Sequence, residues 1–286
     1  MAGRKKEVSE EVQKQIIELY VDQKLGLDNI GKKLNLSRSV IKTQLKDNGI
    51  HIRNFQEAKP VDTRKYPIND DYELNSRNGA WLLGFLASDG YFPITANAKH
   101  RIVIGLQRRD EEVLYQIAKE LNFQGQITQY MQGQYEESSL AFSSIKLRNK
   151  IEKDYNIGHD KTFNLHNIPI KLDEKYKIDF IRGYWDGDGS IYEPSDGHKI
   201  RMNLVSVNED FLINIVSFLE KEYQIPKVTI HQRWDKNSTV PLFYINYSTN
   251  SSFALGHIFY DNLLEENITL KRKKEKFLEI CQKYNK

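Results

Sequence analysis

Apolar residues recur along this chain at two different spacings, and the places where the spacing changes divide it into three sections. In the first, Val12, Ile16, Ile17, Leu19 and Tyr20 fall on one stripe of a helix, with Ser9 placed to cap its start. Gly26 interrupts the pattern, and Leu27, Ile30, Gly31 and Leu34 suit a second, short helix opened by Asp28. A third runs over 38–46, turns Val40, Ile41 and Leu45 inward, and stops at Asn48-Gly49, a pair suited to left-handed helix termination. Residues 1–50 therefore read as a small all-helical domain. Residues 51–75, with Pro60, Pro67 and no sustained period, read as a linker.

From residue 76 onward, helical and alternating patterns take turns, and they do so twice. Strands are expected over 101–107, 126–131 and 140–144, and again over 200–205, 228–234 and 243–247. Helices are expected between the first and second strands of each half, at 110–121 and 209–223, and after the strands, near 146–155 and 252–264. Alternation sorts the faces. Ile200, Met202 and Leu204 point to the core and leave Arg201, Asn203 and Val205 outward, while Thr229, His231 and Arg233 share a face opposite Val228 and Ile230. The run 126–131 alternates poorly, which makes Thr128 and Tyr130 weaker outward candidates. The halves, 76–175 and 176–286, form an α+β duplication with pseudo-two-fold character.

Each half opens on the same short sequence. Residues 82–90 read Leu-Leu-Gly-Phe-Leu-Ala-Ser-Asp-Gly, and residues 181–189 read Ile-Arg-Gly-Tyr-Trp-Asp-Gly-Asp-Gly. Gly84 and Gly183 would let two helix backbones approach closely, with Trp81, Leu82, Phe85, Leu86, Tyr184 and Trp185 as the surrounding core. Each copy then ends in Asp-Gly, at Asp89-Gly90 and Asp188-Gly189. Packed together, the copies bring two carboxylates to one point, at helix ends whose dipole already disfavours anions. A divalent cation cancels both penalties, and hard carboxylate oxygens favour Mg²⁺ over softer metals. Ser88 is given no metal role. Asp186, matched by Ala87 in the first copy, reads as a structural or solvated side chain rather than a ligand.

Charge sharpens this picture. Residues 1–60 carry 12 Lys/Arg against 8 Asp/Glu and residues 271–286 carry 7 against 2, which leaves the middle with a surplus of acids. Basic ends around an acidic centre suit a chain that grips phosphates peripherally and holds metal centrally. The lone Cys281 excludes an internal disulfide and a cysteine-rich zinc site. No apolar run approaches a membrane span and the first residues lack a signal-peptide core, so an intracellular setting is expected.

The doubled motif resembles that of the LAGLIDADG homing endonucleases in their single-chain, two-motif form, over roughly residues 76–286. The resemblance implies an α+β, pseudo-two-fold duplicated core of saddle-shaped antiparallel sheets on helices. The small all-α domain at 1–50 resembles a helix-turn-helix module with 37–46 as its recognition helix. The implied activity is double-strand cleavage of a specific DNA site with Mg²⁺ or another divalent metal, by a monomer acting as a pseudo-dimer. Asp89 and Asp188 would be the metal-holding catalytic acids. Gln107 matches a family glutamine, replaced by Ser206 in the second half, and Lys161 resembles the basic residue that follows the last helix of a repeat. Its counterpart lies within Lys271-Arg272-Lys273, among which the sequence does not choose, Lys271 standing for the cluster. Asp89 would thus be served by Gln107 and Lys161, and Asp188 by Ser206 and the basic cluster. DNA contacts are expected from Arg38, Lys42 and Gln44, with Ser39, Thr43 and Lys46 beside them, and from Arg201, Asn203, Thr229, His231 and Arg233 on the second sheet. Arg53, Lys59, Arg64 and Lys65 could lie along a phosphate backbone. Two other functions fit the same motifs: a non-cutting LAGLIDADG/helix-turn-helix DNA-binding regulator, and an intron maturase.

Overall fold

The computed structural model describes residues 8–23, 25–52, 66–95, 98, 100–234 and 238–286, which fall into two compact units, 1–65 and 66–286. The expected backbone contacts of Arg53, Lys59, Arg64 and Lys65 lie outside the described residues.

In the first unit, helices α1 (Glu10–Val21), α2 (Leu27–Leu34) and α3 (Arg38–Asp47) close around Ile16, Leu19, Tyr20, Ile30, Ile41 and Leu45. The Ser9 and Ser37 hydroxyls accept from the amides of Val12 and Val40, filling orphan donors at the starts of α1 and α3. Gly31 is needed by space, because a Cβ there would overlap the Leu36 carbonyl oxygen where the chain turns from α2 into α3.

The second unit starts inside the stretch expected to be linker. Ile68, Tyr72 and Leu74 are buried, and the Asn69 amide donates to the Leu121 carbonyl at 2.8 Å. Its apolar residues are too sparse to set up a period, yet they pack as an arm along the first half. Then come α4 (Arg77–Asp89), β1 (Gly90–Tyr91), β2 (Arg101–Gln107), α5 (Glu112–Glu120), β3 (Thr128–Gln132), β4 (Tyr135–Ser143), α6 (Ile145–Tyr155) and the single turn α7 (Lys161–Asn164). The second half repeats the order with α8 (Lys177–Asp188), β5 (Ser190–Tyr192), β6 (Arg201–Ser206), α9 (Glu209–Tyr223), β7 (His231–Arg233), β8 (Leu242–Tyr247), α10 (Thr249–Tyr260) and α11 (Lys271–Tyr284). Each half owns one antiparallel sheet, in the orders β1-β2-β4-β3 and β5-β6-β8-β7.

Five elements differ from the sequence pattern. Strands β1 and β5, two and three residues long, are too short to alternate visibly. β3 and β7 are edge strands exposed on both faces, so neither shows the half-buried signature, and β7 is shorter than the expected 228–234. Helix α11 was not anticipated: its inward stripe, Lys273, Phe277, Ile280 and Cys281, begins with a lysine inside a basic run.

The two sheets are joined through α4 and α8, which cross at their glycines. A Cβ at Gly84 would overlap the Phe180 carbonyl oxygen, and one at Gly183 would overlap that of Trp81. Side-chain-free backbone contact at the crossing lets Trp81, Phe85 and Trp185, all fully buried, pack around it.

Candidate functional site

The crossing fixes where the two helices end. Asp89 is the last residue of α4 and Asp188 the last of α8, and each chain passes straight into a strand through Gly90 or Gly189. The two ends touch, since a Cβ on Gly187 would collide with the side chains of Ser88 and Asp89. Burial pushes the Asp89 carboxyl up to about 6, and the charge of Asp188 adds to the effect, against the Ser88 hydroxyl that donates to it at 3.2 Å. Asp188 is also held above the usual carboxylate range by burial, opposed by Lys161 and by the phenol of Tyr184. Two acids that resist ionisation at one point form an arrangement that a bound cation would relieve.

A buried lysine lies beside each acid. The Lys161 ammonium donates to the carbonyls of Ala87 (2.7 Å) and Ser88 (2.6 Å) at the end of α4. That of Lys273 donates to Trp185 (2.7 Å), Gly187 (3.1 Å) and Gly189 at the end of α8. Each cation thus occupies the negative end of its own half's helix, where unpaired carbonyls collect. Burial lowers both, Lys273 to about 8.

One expectation is corrected here. Of the three candidates in the basic cluster it is Lys273, not Lys271, that reaches the end of α8: Lys271 is exposed and faces Glu112 at 3.5 Å, and Arg272 grips both carboxylate oxygens of Asp110. Helical period decides it, because Lys273 stands four residues before Phe277 on the inward stripe. Both ammonium groups act on both acids, drawing the Asp89 and Asp188 carboxyls down against burial.

The surroundings of the acids are unequal. A cavity of about 160 Å³ lies over Asp188, lined by Ser88, Lys161, Thr162, Tyr184 and Ser206 among others. Ser206 is buried at the end of β6, where its hydroxyl accepts from the Asn208 amide at 3.0 Å. Gln107, at the matching end of β2, is exposed opposite Glu137. Tyr184 donates to the Val205 carbonyl and reaches Asp188, a contact that Phe85 at the same place in the first motif cannot make. Among the described residues no group of three or more His, Cys, Asp or Glu is placed to hold a metal. A cation on the Asp89–Asp188 pair would therefore need water or phosphate oxygens as well, which suits Mg²⁺, an ion that keeps several waters.

The register sets out the sheet faces. Asn203 pairs with Asn246 and Ser190, Val205 with Tyr244, and Arg201 with Tyr192, all on the face opposite buried Met202, Leu204 and Ser206. His231 joins that face and stacks on Tyr244 with ring centroids 5.3 Å apart. Arg233 shares the face, opposite Leu242, whereas Thr229 is exposed ahead of β7 and outside the sheet. Arg201 is engaged by Asp196 at 2.6 Å. On the first sheet Thr128 pairs with Ser139, and Tyr130 with Glu137, to which its phenol donates at 2.9 Å. Sequence alternation missed Tyr192, Tyr244, Asn246, Ser139 and Glu137, whose place follows only from knowing which strands are neighbours.

In the first unit Arg38, Lys42 and Lys46 form one exposed stripe on α3, with Arg38 bonded to Asp28 at 2.9 Å. Gln44 is half-buried and does not join it, being about 200° around the helix from Lys42.

The comparisons with known proteins can now be set beside this geometry. Residues 175–282 match the family model described as LAGLIDADG-like domain. The intron-encoded RNA maturase bI4 of Saccharomyces cerevisiae is 28% identical over 183 residues, a match that spans 60% of this chain but only 28% of the maturase. Among solved structures, the I-DmoI homing endonuclease in complex with DNA and Ca is 18% identical with a TM-score of 0.47, covering 68% of this chain and 94% of that one. The homing endonuclease I-WcaI bound to its DNA recognition sequence is 14% identical with a TM-score of 0.47, covering 72% and 89%. Full-length DUF199/WhiA from Thermatoga maritima is 18% identical with a TM-score of 0.46, covering 75% and 65%.

Proposed function

We propose that this chain, whose residues 175–282 match the LAGLIDADG-like domain, is a divalent-metal-dependent endonuclease that cuts both strands of a specific DNA site. The observation that carries the reading is the pair Asp89 and Asp188 at touching helix ends, with a buried lysine beside each. Asp89 and Asp188 would hold the cation, which when bound lowers the pKa of water and offsets charge on the attacked phosphate and the departing 3′ oxygen. Lys161 and Lys273, held on the helix-end carbonyls, supply fixed positive charge where two phosphates of opposite strands would lie. Outward residues of the sheets, Asn203, Asn246, His231 and Arg233 among them, are suited to base edges in a major groove. The protein would act as a monomer, since one chain supplies both acids. Incubation with a randomised DNA library and Mg²⁺ tests this directly. Specific binding without cutting at any divalent metal would reject the nuclease and favour a non-cutting regulator.

Metal binding has its own signature. The Asp89 carboxyl rises from its usual 3.8 to about 6 in the folded protein. Below both values it is protonated in either state and costs nothing. Between them the folded state holds the proton that the unfolded state releases, so metal-free stability falls as pH rises from about 4 to about 6, by roughly 3 kcal/mol, and stays low above. Magnesium bound by the ionised pair recovers that loss. MgCl₂ should raise the Tm clearly at pH 8 and hardly at pH 4.5; an equal rise at both would remove Asp89 from the ligand set.

For the first unit we propose a supporting DNA contact through Arg38, Lys42 and Lys46 on α3. Removing residues 1–65 is expected to weaken DNA binding and to flatten the slope of log affinity against log salt by about 2 to 3, while sparing the cutting step. Titrations at several salt concentrations measure it, and unchanged affinity throughout would show that the unit is idle on DNA.

The maturase relative favours a second reading, in which the same core assists splicing of an intron RNA. Tight binding of an intron transcript that survives loss of both Asp89 and Asp188 would support it over cleavage.

A further inference from the structure

Asp186 takes no part in the chemistry proposed above, yet it is 1% exposed and accepts three hydrogen bonds. Its Oδ2 accepts from the indole N–H of Trp81 at 2.8 Å and from the Leu270 amide at 3.1 Å, and its Oδ1 accepts from the Tyr260 phenol at 3.2 Å. The donors come from α4 of the other half, from the residue that caps α11, and from α10. One carboxylate therefore ties three elements together at the entry of α11. A buried carboxylate with three good donors has its lone pairs answered and holds its partners in one geometry.

The geometry links this tie to the site. Leu270 is the N-cap of α11, and the Lys273 amide donates to the Leu270 carbonyl at 3.0 Å, so Lys273 lies one turn beyond the point that Asp186 holds. From there its side chain crosses back to the last carbonyls of α8. Among the described residues the first half has no such device. Ala87 stands where Asp186 does in the motif, and the turn carrying Lys161 is set instead by the Gly158 carbonyl (3.2 Å) and by the ring of His159 on the Phe92 carbonyl (3.0 Å).

We propose that Asp186 is a positioning residue for Lys273: by holding the Leu270 amide it fixes where the Lys273 ammonium enters the site, and it does so for that lysine alone. Only the cutting readout of this inference rests on the nuclease reading; the positioning itself does not.

The test is acetylation of the intact folded chain with acetic anhydride, read lysine by lysine by mass spectrometry, with exposed Lys271 as the fast reference and buried Lys161 as the internal control. In Asp186→Asn, Lys273 is expected to react about tenfold faster than in the wild type, with Lys161 unchanged, as a local opening predicts. Leu270→Pro is the second variant: it removes the amide that Asp186 holds, at a φ of −77° that proline accepts, and should expose Lys273 in the same way. Where the protein cuts DNA, end-labelled duplex adds a third readout. Asp186→Asn should then slow one strand about tenfold relative to the other and accumulate nicked product, since Lys273 stands at the end of α8 and Lys161 at that of α4. A folded Asp186→Asn in which Lys273 stays protected overturns the proposal. So does a parallel rise at Lys161 and Lys273, or equal slowing of both strands, because a merely structural role loosens the whole helix pair. Should the protein bind DNA without cutting, the acetylation comparison still decides.

Discussion

Asn in place of Asp188 is expected to lower DNA cleavage by on the order of a thousandfold, the scale on which loss of one electrostatic stabiliser is felt at a reacting centre. The same change is expected to make the metal-free protein more stable. Asp188 is the charge that adds to burial in pushing up the Asp89 carboxyl, and it is itself a buried acid held above its usual range. A neutral amide of the same shape removes the repulsion and one buried charge, for a gain of about 1 kcal/mol, or roughly 2–4 °C in Tm at pH 8 for a chain of this size. Activity lost and stability gained by one atom exchange would mark a group kept for chemistry rather than for folding. Calorimetry without metal, beside a cleavage assay with it, measures both, and DNA affinity serves as the control that should hardly move. Wild-type cutting by Asp188→Asn would end the assignment; a lower Tm would mean that the carboxylate is structural.

The second large effect lies at the helix crossing. Gly183→Ala places a methyl group where the Trp81 carbonyl oxygen already is, and backbone cannot swing aside as a long side chain can. The helices must part, which loosens Trp81, Phe85 and Trp185 together, at an expected cost of about 3 kcal/mol, and Gly183→Val is expected to prevent folding of the second unit. Gly105→Ala is the matched control, because its methyl would meet only the Tyr130 hydroxyl at 3.7 Å. Thermal melts of the pair should differ by about 10 °C. Indistinguishable melts would show that α4 and α8 do not approach as closely as described.

What could be read from the chain in advance divides along physical lines. The motif helices, the crossing glycines and the terminal acids were legible because they depend on local spacing, repeated twice. Inward Met202 and Leu204 were legible because a half-buried strand alternates. The edge strands expected over 126–131 and 228–234 were legible in place but not in extent, since neither face of β3 or β7 is buried, and periodicity reports burial rather than extension. The arm at 66–75 was hidden because Ile68, Tyr72 and Leu74 pack singly. Lys273 could not be told from Lys271 because a lysine on an apolar stripe looks like part of a charged run until the stripe is extended to Phe277 and Ile280. That both ammonium groups act on both acids could not be read at all, for it arises where the ends of two helices meet.

The crossing glycines also act as a ruler. Gly84 to Asp89 and Gly183 to Asp188 are both five residues, so each acid lies about 7.5 Å beyond the crossing along its own axis. That equality brings the acids level. One residue inserted after Gly183 would advance Asp188 by about 1.5 Å and swing it by about 100°, while the contacts of Gly84 with Phe180 and of Gly183 with Trp81 survived. Such a chain would keep the fold and lose the pairing of its acids. The interval between glycine and acid is therefore constrained separately from either residue, and a drift in spacing would disarm the site while both motifs still looked whole.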